Sequence, residues 1–220
     1  MTDRQRRARS RADKQPLSLD AFVSAALSLL RRGGTTALTL RGVARELETG
    51  PASLYAYVDT IQDLHELVLD AVLGEVDLHE VLRAQPRERL LAVLGSYREA
   101  LLTHEGLAQL AAGTLPNGQN SIRLTDTVLG CLLRLGVADR VAAWGYDLLM
   151  LHVTAGAAER DRWRTQPDPV ARARGAYAAA DAVAHPHAAH LHDELFSGSA
   201  PQRFEWGLTT LLTGIEQTRP

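Results

Sequence analysis

Apolar side chains recur three and four positions apart along most of the chain, a spacing that lays one continuous stripe along an α-helix. Ser18 is placed to cap a first helix in which Phe22, Ala26, Leu29 and Leu30 share a face until Gly33-Gly34 stops it. Thr39 can cap a short second helix with Val43, Ala44 and Leu47 on one side, broken at Glu48-Thr49-Gly50. Pro51 suits the first turn of a third helix running to about Val58, with Leu54 and Val58 inward and Ser53, Tyr55, Ala56 and Tyr57 at or near its surface. Two short helices joined by a tight turn, with the small Ala44 at their crossing, predict a helix-turn-helix unit.

Leu64, Leu67, Val68, Ala71 and Val72 continue as a longer amphipathic helix leading out of this head. Downstream, Leu90, Leu94, Tyr97 and Leu101 mark a helix opened by Pro86, and Glu105 to Ala112 a short one before Gly113-Thr114-Leu115-Pro116-Asn117-Gly118. Leu124, Val128, Cys131 and Leu135 mark another, ended by Gly136. The longest, from Val137 to about Arg164, carries two stripes: Val141, Trp144, Leu148, Leu151 and Ala155, and beside it Gly145, Leu149, His152 and Gly156. Two apolar faces require two packing partners. Glycines weaken a helix by about 1 kcal/mol each, so Gly145 and Gly156, and Gly207 and Gly214 on the final helix from about Ala200 to Gln217, point to close helix–helix approach. Residues 165 to 200, with Pro167, Pro169 and a run of alanines, read as the least ordered part.

Composition sharpens the fold class to all-α: 33 alanines and 36 leucines stand against 14 valines and 3 isoleucines. No apolar run reaches the roughly 20 residues that span a bilayer, and the N-terminus is studded with arginine; the expectation is a cytoplasmic protein with no membrane partner. The single cysteine, Cys131, leaves no intrachain disulfide and lies among leucines, as a buried apolar residue would. No Gly-rich phosphate loop, metal-ligand spacing or nucleophile with a base partner stands out, so neither an enzyme nor a cofactor is expected. His185, His187, His190 and His192 form one further cluster, read as solvent-exposed imidazoles, with a metal site as the alternative.

Charge is unevenly placed. The first 58 residues hold 10 Arg and Lys against 5 Asp and Glu, leaving 14 against 21 downstream, within a net charge of −2. A positive head on an acidic body suits a chain that meets a polyanion at one end. The division expected is an Arg-rich arm over residues 1–16, a helix-turn-helix domain over 17–62 and a helical body over 63–220.

The order of these motifs resembles the TetR family of transcriptional regulators, in the branch of the tetracycline repressor. In the head the resemblance rests on Ala25 to Leu30, Leu38-Thr39-Leu40-Arg41-Gly42-Val43-Ala44 and Ser53-Leu54-Tyr55-Ala56-Tyr57-Val58. In the body it rests on Ala100 to His104, Gly113-Thr114-Leu115-Pro116, His152 to Gly156, Phe204 to Leu208 and Gly214-Ile215-Glu216. It implies a homodimer whose longest and final helices pair with their mates in a four-helix bundle. It also implies recognition helices that reach successive major grooves of a palindromic operator, roughly 34–36 Å apart.

By that resemblance Thr39, Tyr55 and Tyr57 contact the DNA backbone, Arg41 is the best guanine reader, and Pro51 and Ser53 front the recognition helix with Ala52 or Ala56 against thymine methyls. Two departures are visible: Glu48 stands where many relatives have glycine, and Ile61 lies near where they have lysine. The recognition helix contains no Arg, Lys, Asn or Gln, so the arm residues Arg6, Arg7, Arg9 and Arg11 are expected to compensate along the backbone or in a minor groove. The polar groups that hold Mg-tetracycline in the namesake are replaced by Asp77, Val93, Ala111 and Arg160, which makes tetracycline an unsuitable effector.

A cavity in the same place would be lined by Val93, Tyr97, Leu101, Thr114, Pro116, Leu124, Thr127, Val128, Cys131, Leu148 and His152, a lining suited to a hydrophobic or aromatic small molecule. The expected function is a ligand-responsive repressor released from its operator by such an effector. The competing reading is a helical small-molecule-binding protein that has lost specific DNA binding.

Overall fold

The computed structural model describes residues 18–78, 85–164 and 169–218, and every regular element among them is helical. The chain divides into two compact units between Leu64 and His65. That division falls inside a continuous helix and not in a linker ahead of it.

In the first unit α1 (Leu19–Ala37) starts on Ser18, whose hydroxyl accepts the Ala21 N–H at 3.1 Å. Gly33 and Gly34 leave helical geometry, Gly34 with φ of 61°, so the helix breaks where the glycines stand. α2 (Leu40–Glu46) is capped by the Thr39 hydroxyl, which accepts the Gly42 N–H at 3.0 Å. A Cβ at Gly42 would lie 2.9 Å from the Ala37 carbonyl oxygen, so only glycine lets α2 fold back this closely on the end of α1. Arg32 and Glu46 pair at 2.5 Å across the same two helices.

The expected third α-helix is a 3₁₀ helix, η1 (Pro51–Ala56), closed by bonds such as Ser53 N–H to Gly50 O at 3.0 Å. Six residues with no side-chain cap at Gly50 favour the tighter winding. Phe22, Leu30, Val43, Ala44, Leu54 and Val58 are all buried and form the core of the unit. Glu48 holds φ of 48°, the left-handed backbone a glycine would adopt freely. The turn thus keeps its shape, at a cost of about 1 kcal/mol.

α3 (Ile61–Leu73) begins with a reciprocal cap: Thr60 Oγ1 accepts the Asp63 N–H at 3.1 Å, and Asp63 Oδ2 accepts the N–H groups of Thr60 and Asp59, both at 2.8 Å. The backbone bond from Thr60 and then that from Asp59 hold the Asp63 carboxyl below its ordinary value. A carboxyl lowered on folding stabilises the fold above its unfolded pKa, and that contribution is lost as pH falls through the lowered folded value. Asp63→Ala is therefore expected to lower Tm at pH 7, with the gap to wild type closing as the titration is carried below the carboxylate range.

In the second unit α4 (Pro86–Leu102), α5 (Leu107–Ala112), α6 (Gln119–Arg134), α7 (Asp139–Trp163) and α10 (Ala200–Gln217) enclose a leucine-rich core that includes Leu90, Leu94, Leu124, Leu132, Leu149 and Leu212. α7 is the central rod, packed against the other four. The glycine notches work inside the chain: a Cβ at Gly145 would meet Ile215 Cγ2 at 3.0 Å, and one at Gly207 would meet His152 Cε1 at 2.9 Å. At Gly145 and Gly207 the close helix–helix approach expected of these glycines joins α7 to α10 within the chain. Gly156 and Gly214 face open space.

Residues 169 to 200 are more regular than their sequence suggests, since α8 (Pro169–Ala178) and α9 (Pro186–Leu195) pack on each other. Neither buries a residue fully, which is why no apolar stripe announces them. They are pinned by the Tyr177–Phe196 edge contact at 5.4 Å and by Arg174, which donates to the Phe196 carbonyl at 2.8 Å.

Candidate functional site

The first unit presents its expected readers on one small helical tip. Arg41 is exposed in the first turn of α2, and Ala52, Ser53, Tyr55 and Ala56 are exposed on η1, whose Leu54 is turned into the core. Pro51 opens η1. Thr39 uses its oxygen to cap α2, and its hydroxyl proton remains available to an acceptor. Tyr57 is half-buried with its ring stacked on Phe22 at 5.8 Å, so the ring belongs to the unit's packing. Arg6, Arg7, Arg9 and Arg11 lie outside the described residues.

In the second unit α3 supplies what α6 lacks. Gly118 precedes α6 with no side-chain cap of its own, and the Asp70 carboxylate of α3 fills that role. It accepts the Ser121 N–H at 2.8 Å, the Asn120 N–H at 3.4 Å and Asn120 Nδ2 at 3.3 Å, and Asn120 Nδ2 also donates to the Asp70 carbonyl at 3.0 Å. A negative group among the free N–H groups of a helix start is favourable on both hydrogen-bonding and dipole grounds. Asn117 adds a bond to Glu66 at 3.2 Å. A Cβ at Gly118 would overlap the Asp70 carboxylate, so glycine is required for the clamp.

The residues expected to line a cavity are placed differently from one another. Val93, Leu101, Leu124, Val128 and Cys131 are fully buried packing residues. Tyr97 is buried, bonded to Thr154 Oγ1 at 2.7 Å, and burial raises its pKa, keeping the phenol neutral. Thr114 and Pro116 are half-buried on the loop between α5 and α6, and Thr127 donates to the Arg123 carbonyl at 2.8 Å. Leu148 faces outward on α7, beside exposed Trp144 and Leu151.

Of these residues His152 lines a cleft of about 840 Å³ bounded by α4, α7 and the segment from α8 to the start of α10. Its ring stacks on Phe204 at 5.9 Å, and its Nε2 is buried without a hydrogen-bond partner. Arg98 lies over the other residue of that stack, 4.7 Å from the Phe204 ring centre, and pairs with Glu99 at 2.6 Å. Arg160, Trp163, Arg164, Phe196 and Arg203 complete the polar and aromatic lining.

From the sequence alone, Arg160-Asp161-Arg162 with Trp163 reads as a solvated helix end. Instead Asp161 is buried, its Oδ2 accepting the Gly106 N–H at 2.7 Å, while Arg160 and Trp163 border the cleft. The signal was present in the spacing of His152, Gly156, Arg160 and Arg164, which repeats every four residues along one helical face. Among the described residues no group of three or more His, Cys, Asp or Glu is gathered to hold a metal ion, and no helix is long and apolar enough to cross a membrane.

A helix-turn-helix tip with a clamped helix leading into an all-helical body defines a class, and the comparisons narrow it. The sequence model for the tetracycline-repressor-like C-terminal domain matches residues 84–219. The chain belongs to the TetR family of transcriptional regulators. An HTH-type transcriptional regulator of Saccharopolyspora erythraea is 33% identical over 70% of this chain, a stretch that spans 66% of that protein. The solved structure of the Streptomyces coelicolor transcription regulator SCO7704 is 40% identical, covering 94% of this chain and 98% of its own, with a TM-score of 0.80. Apo ActR of Streptomyces coelicolor is 34% identical over 92% of this chain and 98% of its own, with a TM-score of 0.84, and ActR has also been solved in complex with actinorhodin.

Proposed function

We propose that this chain is a ligand-responsive transcriptional repressor that binds a palindromic operator as a homodimer. The observation that carries the reading is the clamp of Asp70 on the start of α6, because it couples the helix that leaves the DNA-reading tip to the body in which a ligand would act. Arg41 and Ser53 would read base edges, Thr39 and Tyr55 would hold phosphates, and Tyr57 would buttress the tip from behind. The exposed Trp144, Leu148 and Leu151 on α7 and Trp206 on α10 form the apolar surface a second copy would cover. An effector that favours a body conformation with displaced α3 helices would lower operator affinity by its differential affinity for the two states.

Fluorescence anisotropy with the DNA upstream of the protein's own gene tests this. The expected result is specific, salt-sensitive binding with a palindromic footprint. Arg41→Ala should weaken it by about 10- to 100-fold, the worth of one bidentate base contact of roughly 1–3 kcal/mol. Binding that is absent, or indifferent to sequence and salt, would favour a small-molecule carrier instead.

A further inference from the structure

We infer that Arg45 is a second DNA contact on α2, a guanidinium set on an operator phosphate one helical turn beyond Arg41; the inference rests on the reading of the chain as a DNA-binding regulator. The faces of α2 divide the work. Val43 and Ala44 are buried in the core of the unit. Gly42 and Glu46 turn to α1: a Cβ at Gly42 would lie 2.9 Å from the Ala37 carbonyl oxygen, and Glu46 accepts from Arg32 at 2.5 Å and from the Ser28 hydroxyl at 3.4 Å. Arg41 and Arg45, four positions apart, share the remaining face, and both are exposed.

The charges around Arg45 are arranged to leave it open. Glu46, the carboxylate next to it in sequence, is already answered by Arg32, and Arg45 forms no ion pair among the described residues. Two like charges one turn apart repel each other in the free protein, a cost that an anionic strand laid across both removes. The tip has a matching need. From Pro51 to Ala56 η1 carries no basic or amide side chain, and Thr39 and Tyr55 can hydrogen-bond to phosphates without neutralising them.

Four residues of helix advance by about 6 Å, and the first helix of a helix-turn-helix unit crosses the nucleic-acid backbone. With Arg41 at a base edge in the groove, that advance carries Arg45 out over the strand. The group it meets there is a phosphate, which a guanidinium holds by charge and by paired N–H donors.

The full chain, Arg45→Gln and Arg45→Lys are titrated by fluorescence anisotropy at a series of salt concentrations. The two probes are the DNA upstream of the protein's own gene and a duplex of the same length and scrambled sequence. Arg45→Gln should weaken both complexes by a similar factor, about tenfold at low salt, because a phosphate contact carries no sequence information. The slope of log affinity against log salt should fall by about one per bound subunit. Arg45→Lys keeps the charge and should return most of the affinity and the slope. Arg41→Ala, in contrast, should reduce the preference for the upstream DNA over the scrambled duplex.

Arg45 also lies in the last turn of α2, where a cation favours the helix end. That role alone would lower Tm in Arg45→Gln and leave the salt slope unchanged. An unchanged slope, a loss confined to the upstream DNA, or Arg45→Lys as weak as Arg45→Gln would each overturn the proposal. Specific binding by the wild type that Arg45→Gln matches at every salt concentration sinks the Arg45 contact alone. A wild type that binds neither duplex sinks the regulator and the contact together.

Discussion

Trp144→Glu with Leu151→Glu is expected to leave the protein monomeric and to weaken operator binding by about a thousandfold or more, since each half-site would then be held without help from the other. Both side chains stand out from α7, 70% and 63% exposed, and Trp206 of α10 is 73% exposed. Large apolar groups on neighbouring helices gain roughly 1.5–3 kcal/mol each when fully covered, and a charge placed among them reverses the sign. Sedimentation velocity reads the oligomeric state and anisotropy the affinity. A dimer that persists in the double variant would place the subunit contact elsewhere. The substitutions lie on the outer face, so helical content and thermal stability of the monomer should change little.

Gly118→Ala is expected to destabilise the chain by about 2–3 kcal/mol, the range for forcing a methyl into a filled site together with a disturbed helix cap. The methyl would take the place of the Asp70 carboxylate, which would have to withdraw from the N–H groups of Asn120 and Ser121. A double-mutant cycle isolates the cause. Asp70→Ala removes the obstacle and the cap together, so adding Gly118→Ala to it should cost only a few tenths of a kcal/mol in urea unfolding. If α3 carries the signal, both variants should also reduce the effect of any effector on operator affinity. Full coupling with the clamp broken would show that the signal takes another route.

How legible these features were in the sequence follows from how local their causes are. Ser18 and Thr39 cap the helices they precede, Gly33-Gly34 breaks α1, and the stripe through Leu90, Leu94 and Leu101 is buried as its period requires. Each is settled within one or two turns of chain. The 3₁₀ winding of η1 was not legible, because its residues fit either helix and the choice depends on how tightly six residues must turn over Leu54. The glycine notches were recognised as close contacts, but the partner helix is set by the tertiary arrangement, and Gly145 meets Ile215 of its own chain. α8 and α9 escaped notice because they bury no apolar stripe.

Of the candidate DNA readers that the head motif points to, Thr39, Arg41, Ala52, Ser53, Tyr55 and Ala56 are exposed and Tyr57 is half-buried. The ligand residues were harder. An apolar residue that lines a pocket and one that fills a core have the same sequence signature, and His152 alone among them borders the cleft. Of the arginines that give the cleft its character, Arg160 and Arg164 share the face of α7 and its end that their spacing from His152 marks, whereas Arg98 of α4 and Arg203 of α10 are brought to it by packing alone.

The notches at Gly145 and Gly207 lock α7 and α10 side by side before any second subunit arrives. If the chain pairs through that face as proposed, each protomer would bring its half of the joining surface already assembled, and two of them would meet as prefabricated blocks without having to fold around each other. Association of that kind forfeits little backbone freedom, so it should be fast and reversible, and subunits should exchange between assemblies on mixing without passing through an unfolded state.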